Sequence, residues 1–295
     1  MSDNEAEEPG LPHFLTTQEV ASLLRVKERK VYDLAAAGEI PHRRVTGKLL
    51  FPRRELDDWI NGGSKEAAAE RPAVLVGSHD PLLDWAVRES GCGLASFVDG
   101  STDGLDRFAR GEAAIAGLHL PETSDWNIEA VAQRGFADCV LLAWAKRSQG
   151  LILGPSLAGK VRAVADLAGH TIALRQPGAG GRARFDNVAA AAGLGQAAFS
   201  TVASLARTET EAAAAVASGE AEAAIGLEAM ARQFRLDFLP LAEERFDLLV
   251  DRRAYFTEPL QRLFAFARGT AFRNRAEAMG GYDVSETGAV RWLSD

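Results

Sequence analysis

Residues 14–60 read FLTTQEVASLLRVKERKVYDLAAAGEIPHRRVTGKLLFPRRELDDWI, and this stretch decides how the chain is organised. Thr16 stands three residues before Glu19 at the head of an apolar run. That is the spacing of a capping box, in which the Thr hydroxyl takes the Glu19 N–H and the Glu carboxylate returns to the Thr16 N–H. Leu15 and Val20 occupy the staple positions on either side of the cap. Val20, Leu23 and Leu24 then share one helical face. Arg25-Val26-Lys27 breaks the pattern and reads as a turn. A second helix follows, with Val31, Leu34 and Ala35 inward, and it ends at Gly38 and Pro41. Glycine takes a left-handed C-terminal cap without strain, and proline cannot continue the helix. In HRRVTGKLLF two strand-like runs flank Thr46-Gly47, a tight hairpin turn. Leu56, Trp59 and Ile60 give a third apolar helical face that closes a small core.

This arrangement leaves Lys27, Arg29, Lys30 and Tyr32 outward at the start of the second helix, beside Glu28 and Asp33. Those are the positions at which a helix-turn-helix meets base edges. Arg43, Arg44 and Lys48 sit on the hairpin, where cations reach phosphates or a minor groove. A generic three-helix interaction module would share the apolar pattern but has no need of the basic wing. The segment resembles the excisionase/MerR-type winged helix-turn-helix at the front of many bacterial regulators. The resemblance rests on Gly38-Glu39-Ile40-Pro41, Gly47-Lys48 and Asp58-Trp59-Ile60 together with the cap and the wing. It implies double-stranded DNA as a partner. A homodimer is expected with it, because two half-sites multiply specificity.

The whole chain has 295 residues and a net charge of −8, enough for two or three domains and too acidic for a non-specific nucleic-acid coat. Cys92 and Cys139 have no metal-ligand spacing and the five histidines are scattered, so no metal site, catalytic residue or cofactor is assigned. Reduced cysteines and an acidic, apolar-poor N-terminus suit a cytoplasmic protein with a disordered leader over 1–13. No window has the apolar length of a membrane span. Gly154-Pro155-Ser156-Leu157-Ala158-Gly159-Lys160 nearly matches a P-loop, but Val161 stands where the magnesium-binding hydroxyl belongs.

From Val74 the texture changes. Val74–Val76, Leu94–Val98 and Ala113–Leu118 are strand-like, each followed by a polar loop and, after the first two, a helical pattern. Alternation of this kind predicts an α/β body, a mostly parallel sheet with helices on both faces. Ligands bind such sheets at the carboxyl ends of the strands, which here carry Ser78, His79, Ser101, Thr102 and His119. Ser101 and Thr102 stand at a helix start, a natural anion site, though each also suits a plain cap. DCVLLAWAK (138–146) reads as a long strand crossing between lobes, and Leu239 to Val250 as the return. Gln176-Pro177-Gly178-Ala179-Gly180-Gly181 lies between Arg175 and Arg182. Its glycines permit close backbone approach, and the two guanidinia suit an oxyanion or carboxylate. A Gly-rich turn that merely caps the following helix would look similar.

LVGSHDPLLD, VDGSTDGLDRFARGEAAIAGLHLP, DLAGHTIALRQPGAGGRARFD and the terminal GGYDVSETG occur in that order. They resemble the type II periplasmic-binding-protein-like fold, and more closely the binding-protein-like domain that follows a helix-turn-helix in regulators related to molybdate or molybdopterin metabolism. The resemblance implies a winged helix-turn-helix over 14–62, a linker over 63–73 and a two-lobed domain over 74–295. Lobe I takes about 74–145 and 245–295, and lobe II about 146–244. The expected ligand-lining set is Ser78, His79, Ser101, Thr102, His119, Arg175, Gly178, Gly180, Arg182 and Glu228. The expected ligand is a small anion such as molybdate or tungstate, although Asp80 and Glu228 inside the cleft would suit a cation or zwitterion instead. The function implied is a ligand-responsive transcriptional regulator. The alternatives are a small-molecule-binding protein, or an enzyme of cofactor metabolism, whose helix-turn-helix serves partner contact.

Overall fold

The structure is a computed structural model that describes residues 14–60, 70–122 and 126–294. The expected leader over 1–13 and residues 63–69 of the expected linker lie outside the described residues. Contacts divide the chain into two units, one ending at Glu70 and the other beginning at Arg71.

In the first unit β1 (Phe14–Thr16) leads into α1 (Thr17–Leu24) and α2 (Glu28–Ala36), followed by the hairpin β2 (Arg43–Val45) and β3 (Lys48–Pro52) and by α3 (Arg53–Ile60). The capping box forms. The Thr16 N–H donates to Glu19 Oε2 at 2.7 Å, and the Glu19 N–H donates to Thr16 Oγ1 at 3.4 Å. These Thr16 donors hold the Glu19 carboxyl below its ordinary pKa. Gly38 adopts φ +70°, and the Glu39 N–H reaches Leu34 O while the Gly38 N–H reaches Ala35 O, a Schellman end. Thr46 and Gly47 both have positive φ, the type I′ turn that matches strand twist. Val20, Val31, Ala35, Phe51 and Leu56 make the core. Two apolar assignments change. Leu23 is 43% exposed, because α1 turns Thr17, Val20 and Ala21 inward instead, and Ile60, the last residue of α3, is 40% exposed. We expect Thr16→Ala to cost this unit about 1 kcal/mol, read as roughly fivefold faster amide exchange in α1.

The second unit holds a single mixed sheet in the order β5-β4-β6-β11-β7-β10-β8-β9. In chain order its elements begin with β4 (Val74–Gly77), α4 (Pro81–Glu89), β5 (Ala95–Phe97), α5 (Ser101–Ala109), β6 (Ile115–Leu118), α6 (Ile128–Ala132) and β7 (Cys139–Leu153). They continue with β8 (Thr171–Ala173), α7 (Gly180–Ala191), β9 (Ser200–Thr201), α8 (Glu209–Ala217), β10 (Ala223–Leu227), α9 (Glu228–Phe234) and β11 (Asp237–Asp251). Helices α10 (Glu258–Ala267) and α11 (Thr270–Met279), then β12 (Tyr282–Asp283) and β13 (Val290–Leu293), close the chain. The two ends of the sheet are parallel, β4 with β5 and β6, and β8 with β9 and β10. Its centre is antiparallel, which corrects the mostly parallel expectation.

The cause is the length of β7 and β11. Each spans 15 residues, and they pair with each other through both halves of the unit. Alternation along β7 sends Leu142 and Trp144 to one core and Leu141 to another. Farther on, Leu151 and Leu153 face one core of the second half and Ile152 faces another. Only Lys146–Gly150, between these apolar runs, is free to carry chemistry. The near P-loop at 154–160 is a turn followed by no α-helix, with the Lys160 ammonium held on Ser156 O. Among the described residues no helix is long and apolar enough to cross a membrane.

Candidate functional site

In the first unit, Lys27, Arg29, Lys30, Tyr32, Arg43, Arg44 and Lys48 are all exposed. Lys27 caps α2, so Arg29 and Lys30 stand in its first turn. Arg43 also pairs with Glu55 at 2.7 Å, tying the wing to α3. A folded helix-turn-helix thus presents cations at the start of its second helix and along a hairpin, the geometry of groove and phosphate contact.

In the second unit a cluster of buried polar groups lies where the two halves of the sheet meet. The β4–α4 loop supplies Ser78, His79 and Asp80, each at most 8% exposed. The Ser78 and Ser101 hydroxyls share a hydrogen bond of 2.8 Å, and Ser101 Oγ accepts the His119 N–H at 3.1 Å. Three strand ends therefore converge. Asp80 caps α4 by accepting the Leu83 N–H at 2.7 Å, and also accepts from Trp144 Nε1 at 3.2 Å, Arg147 Nη1 at 2.9 Å and the Tyr282 hydroxyl at 2.7 Å. Arg147 donates its other terminal nitrogen to Glu244 and lies 4.5 Å from the Phe246 ring centroid. Phe246 stacks on His119 with centroids 6.0 Å apart.

The second half contributes Arg175 and Glu209. Arg175 donates to Glu209, to Ala206 O at 3.2 Å and to Arg207 O at 3.0 Å. The Glu209 N–H donates to His79 Nδ1 at 3.3 Å, which ties the start of α8 to the β4–α4 loop. Arg207 and Asp99 add an exposed ion pair of 3.1 Å across the same seam. Glycines set how closely the halves approach. A Cβ on Gly180 would lie 2.2 Å from His119 Cδ2 and 2.4 Å from His119 O, and one on Gly100 would lie 2.9 Å from Gly178 O. We expect Gly180→Ala to leave each half folded but to keep the halves apart, at a cost of about 1–3 kcal/mol in the closed form. Small-angle scattering would report a larger radius of gyration.

Of the residues expected to line a cleft, Ser78, His79, Ser101, His119, Arg175 and Gly180 come together. Gly178 stands at the rim, with φ +84° and its carbonyl against Gly100. Thr102 is exposed. Arg182 is turned along α7 onto Asp186 at 2.9 Å and borders a separate cavity of about 610 Å³ with Leu174, Phe185, Leu194 and Phe199. Glu228 pairs with Arg232 one turn along α9 and packs against Gly281. Asp80 points into the cluster and Glu228 does not. Arg147, Gln149, Glu209 and Glu244 were not anticipated. Their signal was there, as charged and amide residues interrupting apolar strand runs, or an acidic residue at a helix start.

The electrostatics follow from burial. Desolvation, reinforced by Arg147 and Arg175, drives the His119 pKa well below its ordinary value, so the ring is neutral. Desolvation also lowers His79, against the pull of Glu209 and Asp80. Desolvation opposes the Arg147 charge, but Glu244 and Asp80 outweigh it and raise its pKa. Glu244 itself is raised to about 7 by burial, against Arg147. A carboxyl raised on folding contributes stability below its unfolded value, and that contribution is lost as pH rises through the folded value. We therefore expect wild-type stability to fall relative to Glu244→Gln between about pH 4.5 and 7, read by urea unfolding across that window. Among the described residues no group of three His, Cys, Asp or Glu side chains could hold a metal ion.

Comparison with known proteins agrees with this architecture. YvgK of Bacillus subtilis (strain 168) is 26% identical over 93% of this chain and 96% of its own length. A protein from the ferredoxin 2Fe-2S gene 5′ region of Clostridium pasteurianum is 37% identical over 79 residues, 26% of this chain and 70% of that protein. Among solved structures, PhnD1 from Prochlorococcus marinus, in complex with methylphosphonate, shares the fold over 72% of this chain and 92% of its own, with a TM-score of 0.51 and 10% identity. A helix-turn-helix domain model matches residues 14–64, and the model of the PBP superfamily domain matches residues 84–268. Because that second match spans more than half of the sequence, the chain belongs to the PBP superfamily domain family and carries a helix-turn-helix domain ahead of it.

Proposed function

We propose that the protein is a DNA-binding transcriptional regulator whose activity is set by a small molecule held between the two halves of its second unit. The observation that carries this reading is the pairing, in one chain, of an exposed basic helix-turn-helix with a binding-protein fold whose inter-half seam is lined by buried polar side chains. A body built only for scaffolding would fill that seam with apolar groups, since burying polar groups costs free energy that only partners recover. Opening and closing the seam gives two states, and a ligand that favours one shifts their populations. Two copies acting on paired half-sites would turn that shift into a change of DNA affinity.

The finer expectation, a small oxyanion such as molybdate or tungstate, draws on Arg175, Arg182 and the start of α7. Arg182 is engaged by Asp186 and Arg175 by Glu209, so neither guanidinium is held ready for an external anion. The test of the regulator reading is fluorescence anisotropy with duplexes from upstream of the protein's own gene. Saturable binding that weakens steeply with salt is expected. Binding of small molecules by a chain that ignores every such duplex would favour the second reading, a ligand-binding protein whose helix-turn-helix contacts another protein.

A further inference from the structure

The cleft identifies the chemistry of its own ligand. Five buried atoms on four side chains in the cluster have no hydrogen-bond partner within the protein: both ring nitrogens of His119, Nε of Arg147, Oε1 of Gln149 and Oε2 of Glu209. Each of these residues is 1% exposed. Folded proteins leave few buried polar atoms unpaired, and a local group of them calls for an occupant. The side chains of His119, Gln149 and Glu209 meet at the start of α7, and Arg147 joins them through Phe246, whose ring it shares with His119. A Cβ on Gly181 would stand 3.9 Å from Gln149 Nε2, Glu209 Oε1 and Arg175 Cγ alike, and Gly180 beside it touches His119.

The unpaired set is weighted towards acceptors. The two guanidinia are spent inside the protein. Arg147 bridges Asp80 and Glu244, and Arg175 serves Glu209 and two carbonyls, which leaves Arg147 Nε as the one unpaired guanidinium atom of the two. The Glu209 carboxylate already lies beside Arg175 and the start of α7, where an external anion would be drawn by the helix dipole. The unmatched acceptors are the second oxygen of that carboxylate, the Gln149 carbonyl and one nitrogen of neutral His119, against two unmatched donors, Arg147 Nε and the other His119 nitrogen. The Arg147 and Arg175 charges are matched at short range by Asp80, Glu244 and Glu209, while Arg184, whose buried Nε has no partner, adds a third guanidinium near Glu244.

We propose that the cleft takes a small cation rich in N–H donors, of amidine, guanidine or amine type, with its donors on Glu209 Oε2 and Gln149 Oε1. This rests on the cleft being a ligand site, as proposed above, but not on the DNA unit. Isothermal titration calorimetry on the full chain tests it, with methylguanidinium and methylammonium as probes and phosphate and molybdate as contrasts. Methylguanidinium is expected to bind one per chain, with the two anions giving no saturable heat. Gln149→Met removes an unpaired acceptor at similar volume. It should keep or raise the melting temperature while weakening methylguanidinium about tenfold. Glu209→Gln should abolish cation binding, and because it unpairs Arg175, Gln149→Met serves as the fold-preserving control. The proposal is overturned if phosphate or molybdate binds and the cations do not, if none of the four binds, or if Gln149→Met leaves methylguanidinium affinity unchanged. DNA binding is measured separately, so a chain that binds the cation but no duplex refutes the regulator and keeps the ligand class, while the reverse refutes only the ligand class.

Discussion

Replacing Arg147 by Met is expected to destabilise the second unit by about 3–5 kcal/mol, the cost of removing one partner of a buried charge cluster. Asp80 and Glu244 are each 1% exposed and both depend on this guanidinium. Without it Glu244 loses its hydrogen-bonded guanidinium, and Asp80 keeps only neutral donors, the Leu83 N–H, Trp144 Nε1 and the Tyr282 hydroxyl. The Met side chain would still pack against Phe246, so the loss is electrostatic rather than a cavity. For a unit of this size the melting temperature should fall by roughly 10 °C. Adding Glu244→Gln to Arg147→Met should restore part of the loss, because one of the stranded charges is gone. Calorimetric melting of the three proteins checks this. A single variant that melts within about 2 °C of wild type would mean that the cluster is solvated and the cleft is not sealed.

The second large effect is expected on DNA. Arg29 and Lys30 are exposed in the first turn of α2, where side chains reach base edges, and a good base contact discriminates by about 1–3 kcal/mol. Arg29→Ala with Lys30→Ala should weaken specific binding by about 2–4 kcal/mol, roughly thirty- to a thousandfold, with no change in melting temperature. The wing should behave differently. Arg44→Ala with Lys48→Ala should weaken all sequences alike and flatten the salt dependence by about one phosphate contact per cation removed. Anisotropy titrations at several salt concentrations separate the two outcomes. An unchanged affinity for the α2 pair would place the recognition surface elsewhere on the unit.

The first unit was legible in sequence because its signals are local. A cap whose partners stand three residues apart, a glycine end and a two-residue turn are each written within a few positions, and all three formed as read. Leu23 and Ile60 misled because a helical wheel assumes a partner on every apolar face, and α1 and α3 are short enough to leave one side open. The body was legible as α/β, but not in its strand directions. The apolar run of β7 stops at Lys146 in sequence, although the strand continues to Leu153. Arg147 and Gln149 interrupt the hydrophobic pattern as buried polar members of the cluster, so the residues that hide the strand are the ones that mark the candidate site. Arg175 was found from sequence, but its partner was not. Glu209 lies 34 positions away, and only the fold shows that the carboxylate, not an external anion, occupies that guanidinium.

In the regulator proposed above, one chain couples a ligand in the cleft to an operator. The direct measurement is the affinity of the full chain for a duplex from upstream of its gene, with and without a saturating cleft ligand found by thermal-shift screening. A change of at least about fivefold in DNA affinity is expected, matched by the same factor in ligand affinity when the duplex is saturating, since coupling free energy is reciprocal. Equal DNA affinities with the cleft filled and unfilled would contradict it.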